Sequence, residues 1–142
     1  MAGAGIEYQG MSEPRPFEPV KFIVGLIYVD LALADEAAAR LERLLGPLEY
    51  RSPAFDFSST DYYADELGPG IKRVFLSFER TGRPEDLADL KLATNRMELE
   101  IGGAEGRPGR AVNIDPGYMT SAALFMATAK NFAHRVPLKD GI

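Results

Sequence analysis

The chain has 142 residues, 46% of them hydrophobic and 26% charged, which is enough for one domain with its own core and excludes a wholly disordered protein. Net charge is −5, the pI is about 4.9, and the 16 Lys and Arg are scattered among 21 acids; no nucleic-acid partner is expected from such a surface. There is no cysteine, which excludes disulfides, thiolate nucleophiles and thiolate-ligated metal.

Residues 1–19, rich in Gly, Pro and Glu and without a period, are predicted to be a disordered leader, with Met11 as an alternative start. Residues 20–142 are expected to form a single α+β domain. The longest apolar run, Phe22 to Val29, is too short for a bilayer, and no basic region followed by an apolar stretch opens the chain. The expectation is a cytoplasmic protein with no membrane partner.

Lys21 to Asp30 is the clearest predicted strand, apolar on both faces and so suited to the centre of a sheet. A helix is predicted over Ala34 to Leu45, with Asp35 and Glu36 near its N-terminus and Leu41, Leu44 and Leu45 as its stripe. Gly46 and Pro47 stop it. Leu48 to Ser52 is a short strand leading into an aromatic loop, in which Thr60 or Asp61 would cap a short helix ending at Gly68.

Lys72 to Glu79 is the next strand. A helix then follows Gly82 and Pro84, burying Leu87, Leu90, Thr94, Met97 and Ile101 at three- and four-residue steps. Ala111 to Ile114 is predicted to be a strand entering a turn at Asp115-Pro116-Gly117. Thr120 or Ser121 would cap a last helix reaching Lys130, and His134 to Leu138 reads as extended. The order gives a single-domain α/β sandwich with the ferredoxin-like split β-α-β arrangement, plus an additional helix and a C-terminal strand; the alternative is a three-layer α/β sheet.

Four stretches, VKFIVGLIY, GPLEYRSPAFDFSSTDYYADELGPGIKRVFLSFE, DLADLKLATNRMELEIG and NIDPGYMTSAALFMATAKNFAHRVPLKDGI, occur in this order over nearly everything after residue 19. On them the chain resembles the family called domain of unknown function 4416, from bacteria and archaea. The resemblance implies no established activity. It does imply a further strand and an aromatic-rich tail, where this chain ends at Ile142 and reads Val136-Pro137-Leu138. A missing last strand would leave an open sheet edge, suited to self-pairing as a homo-oligomer or to a partner strand.

Asn113-Ile114-Asp115-Pro116-Gly117-Tyr118 is the sharpest candidate site. Alternation puts Asn113 and Asp115 on one side, where a polar ligand or hard cation would meet both; otherwise the stretch is an ordinary Asp-Pro-Gly turn. His134, the only histidine, is the sole imidazole base available. With Asp115 it forms the candidate catalytic pair, beside Lys130 and Arg135. A metal site held by several histidines is excluded, and no metal ligand set is assigned.

Asp61 and Tyr62, in the aromatic loop, and Lys72 and Arg73, after Gly68-Pro69-Gly70, are further candidate ligand-binding residues, with Asn113, Tyr118 and Lys130. The glycines there follow a helix and precede a strand, with no Ser or Thr after the lysine. They are therefore not a P-loop, and no dinucleotide fingerprint is present. Ser58, Ser59 and Ser77 lack a nucleophile signature, and no cofactor is identified. Two readings follow: a binding protein or enzyme for a small polar or anionic ligand at strand ends, or a protein-interaction module using a sheet edge or apolar face.

Overall fold

The computed structural model describes residues 5–57, 70–104 and 111–142. Residues 5–19 are largely exposed and form no helix or strand. Strand β1 (Lys21–Tyr28) is followed by helix α1 (Leu31–Leu45) and strands β2 (Leu48–Arg51), β3 (Phe55–Asp56) and β4 (Lys72–Phe78). A 3-10 turn (Pro84–Asp86) leads into helix α2 (Leu87–Ala104), and β5 (Val112–Met119) and β6 (Leu124–Met126) complete the sheet.

The sheet runs β2-β4-β1-β5-β6, with β3 also on β4, and every pairing is antiparallel. Each helix thus carries the chain over one intervening strand: α1 from β1 to β2 across β4, and α2 from β4 to β5 across β1. This is the split β-α-β order. Alternation along the strands sorts side chains onto two faces. Val24 and Leu26, Val74, Leu76 and Phe78, and Val112 and Ile114 form the core with Leu41 of α1 and Ile101 of α2, so both helices cover one face. Among the described residues the arrangement has two layers.

Helix α1 begins three residues earlier than its sequence suggested. The side chain of Asp30, in extended conformation, accepts from the Ala32 N–H at 2.9 Å and caps the helix there. Its inward face is Leu33, Ala34, Ala37, Ala38 and Leu41. Leu44, expected inside, is exposed. Gly46, at φ 97°, ends the helix with its N–H on the Glu42 carbonyl, a conformation that disfavours any other residue.

Two expectations need correcting. Asp115-Pro116-Gly117 is not a turn: all eight residues of β5 pair with β1. Pro116 fits because its backbone faces β6, where its carbonyl accepts from the Ala127 N–H at 3.0 Å and only the return bond is lost. Gly117 fits because Met126 and the Phe125 carbonyl press on it, leaving no room for a Cβ.

The predicted last helix is also replaced, by the β5–β6 hairpin. Thr120 Oγ1 accepts from the N–H groups of Ala122 and Ala123 (3.1 and 3.0 Å), the bonding of a helix cap used here to close a turn. His134 to Leu138 forms no ladder; it begins inside a turn closed by the Arg135 N–H on the Phe132 carbonyl. The short helix expected before Gly68 lies outside the described residues.

Candidate functional site

The site lies where β6 stops short of β5. Beyond Ala127, the Ile114 N–H and carbonyl point to an edge with no strand on it. Helix α2 supplies the partners: Glu98 Oε1 accepts from the Ile114 N–H at 2.7 Å, and Lys91 Nζ donates to the Ile114 carbonyl at 3.4 Å. Both charged residues lie in the buried stripe of α2 with Leu87, Thr94 and Ile101. They stand there because an open edge needs a donor and an acceptor, which an apolar side chain does not offer.

Around that edge to the second sheet face, Phe75, Gly25 and Asp115 form one cross-strand row, and Arg73, Ile27 and Asn113 the next. Gly25 leaves a trough over β1. A Cβ there would lie 2.9 Å from Arg73 Nη2, so the guanidinium crosses where a side chain would otherwise stand. Arg73 rests between Phe57 and Phe75, with Cζ 5.0 and 4.9 Å from the ring centroids. Its Nη2 ends 3.9 Å from Asp115 Oδ2, too far for a hydrogen bond. Its Nε is buried and has no hydrogen-bond partner among the described residues.

Asp115 takes a 2.7 Å hydrogen bond from the Asn113 amide on Oδ2, and Lys91 Nζ stands 3.9 Å from Oδ1. These groups open into a cavity of about 500 Å³, completed by Asn95, Met126 to Lys130 and Arg135. Arg135 is tied to the turn beneath it, donating to the Lys130 carbonyl at 2.8 Å. Four cationic side chains (Arg73, Lys91, Lys130 and Arg135) line the cavity against two carboxylates, Glu98 and Asp115. This is an excess of two positive charges on a chain of net charge −5.

Of the residues singled out from sequence, Arg73, Asn113, Asp115 and Lys130 meet here. Lys72 does not. It is half-buried beside Asp56, whose hydrogen bond and charge raise the lysine pKa. Tyr118 faces the helix side, its ring 5.2 Å from that of Phe125. His134 is exposed, stacked on Phe132 at 6.0 Å, and is not among the residues lining this cavity. Asp61 and Tyr62 lie outside the described residues.

Lys91 and Glu98 were missed from sequence, although the signal was present: two charges at helical spacing within one apolar stripe. Among the described residues no group of three or more His, Asp or Glu side chains is placed to hold a metal ion, and no helix is long and apolar enough to cross a membrane.

Fold and cavity together define an α+β protein of split β-α-β order with a cationic pocket at an unfinished sheet edge. The family described as "Domain of unknown function (DUF4416)" matches residues 18–142, and the chain belongs to that family. No curated protein and no solved structure matches it.

Proposed function

We propose that the protein binds a small anionic ligand, a carboxylate or phosphate, in the pocket between Arg73, Lys91 and Asp115. One observation carries this reading: four cationic side chains line the cavity against two carboxylates, and one of them, Arg73, keeps a buried Nε donor with no acceptor among the described residues. Leaving such a donor dry costs about 1–3 kcal/mol, and more for a charged group. An anion entering the cavity would meet that surplus of cations, and contact with the Nε–H itself requires the guanidinium to turn toward the anion, because the atom is closed to solvent where it stands. Asn113 and Asp115 would orient polar groups of the same ligand, Asp115 by accepting a hydrogen bond.

The test is a thermal-shift series with inorganic phosphate, acetate and citrate on the whole chain. Binding to the native state alone raises the melting temperature. Arg73→Gln is expected to abolish the shift while remaining folded; an equal shift in this variant would remove Arg73 from the binding site. The reading places the protein in the cytoplasm, in keeping with a sequence without cysteine.

A second reading, an interaction module that pairs through its sheet edge, draws on β6. This three-residue edge strand exposes Leu124, Phe125 and Met126. It predicts a dimer by sedimentation, dispersed by Phe125→Lys; a monomer at high concentration would count against it.

A further inference from the structure

We infer that the ligand is an amphipathic anion, with its charged head beside Arg73 and its hydrocarbon body in a second cavity that adjoins the first. The inference rests on the anion-binding reading above and adds the class of ligand to it.

The second cavity, of about 750 Å³, lies on the helix side of β5 and β6. Leu87 at the start of α2, Tyr118, Phe125, and Leu138 and Ile142 of the C-terminal segment give it mainly apolar walls. The two cavities share Met126, Ala127, Thr128, Lys130 and Arg135, so one ligand passing this segment reaches both. Their chemistry is complementary along that path. One end holds the Arg73 donor and the excess positive charge. The other holds Phe125 and Leu138, apolar side chains still 49% and 55% exposed.

A small inorganic ion would fill the first cavity and leave those apolar side chains in water. A neutral hydrocarbon would cover those side chains and leave the surplus positive charge of the first cavity unmatched. A carboxylate on an alkyl chain satisfies both, since burial of each methylene adds to affinity while the head pairs with the guanidinium.

The measurement is a calorimetric titration of the whole chain with acetate, butanoate, hexanoate and octanoate, all below micelle-forming concentration, beside inorganic phosphate and 1-octanol. Affinity is expected to rise about fourfold per added methylene, the equivalent of ~0.8 kcal/mol. Octanol is expected to bind far more weakly than octanoate. Leu138→Asp, an exposed position, should flatten the dependence on chain length and leave phosphate binding intact.

Octanoate binding no tighter than acetate, with both lost in Arg73→Gln, would overturn the inference and leave the anion reading standing. Octanol binding as tightly as octanoate would overturn it as well, because the charged head would then select nothing. Failure of every anion to bind would remove both readings.

Discussion

Arg73 reaches across β1 through the space that Gly25 leaves empty. A Cβ at Gly25 would stand 2.9 Å from Nη2 of the arginine and 3.3 Å from Cε1 of Phe75. The missing side chain on the central strand therefore lets a cation anchored on β4 face a carboxylate on β5, two strands away. Glycine weakens a strand unless something uses the room, and here the guanidinium uses it.

Gly25→Ala is accordingly a probe of the site more than of the fold. The atom met first is the end of a flexible side chain, so the stability cost should stay below about 1 kcal/mol, under the usual range for overpacking. Arg73 must swing off Phe75, and the melting-temperature rise with phosphate should disappear. Urea unfolding and thermal shift measure the two separately. Retained phosphate binding would show that Arg73 does not need the trough.

Glu98 stands in for a strand at Ile114, and its two replacements should separate. Glu98→Ala leaves the buried Ile114 N–H without its acceptor and should lower stability by about 1–3 kcal/mol. Glu98→Gln keeps an oxygen at that position and should cost less. Hydrogen exchange at the Ile114 amide provides the local check: fast in the alanine variant, slow in the glutamine one. Equal protection in both would mean that Glu98 does not seal the edge.

Asp30 sets the start of α1, and Asp30→Ala should cost about 1 kcal/mol through loss of the cap. Denaturant unfolding of the variant measures it. Because Asp30 lies outside the pocket-lining set, phosphate affinity should be unchanged. An unaltered midpoint would show that the bond from Ala32 adds nothing.

Strand order was legible in the sequence wherever hydrophobic period and punctuation agreed. Lys21 to Tyr28 is apolar on both faces because the helices cover its Val24 side and Ile27, on the other, packs with Ile71 and Phe57. Gly46-Pro47 could end a helix in no other way. The reading failed where one local chemistry serves two structures. Pro116-Gly117 has the composition of a turn, yet proline also suits a position where the neighbouring strand is ending, and glycine one where a neighbour presses close. Thr120 makes the bonds of a helix cap, but they close a hairpin.

The candidate site was half legible. Alternation put Asn113 and Asp115 on one side, and they share a face in the structure. Two charges within one apolar stripe marked Lys91 and Glu98 as buried, but what they bond depends on where β6 ends, a tertiary fact. His134 drew notice as the only imidazole, but rarity in composition says nothing about position.

The central claim is that an anion in the cavity pairs with the Arg73 guanidinium. The most direct measurement follows that group's own nitrogen resonance in 15N-labelled protein as phosphate is added. A saturable shift of Arg73 Nε–H, with slowed exchange and matching changes at the amides of Ile114, Asp115 and Thr128, is the predicted result. An Arg73 signal that stays fixed while phosphate perturbs other parts of the surface, or perturbs nothing, would contradict the account.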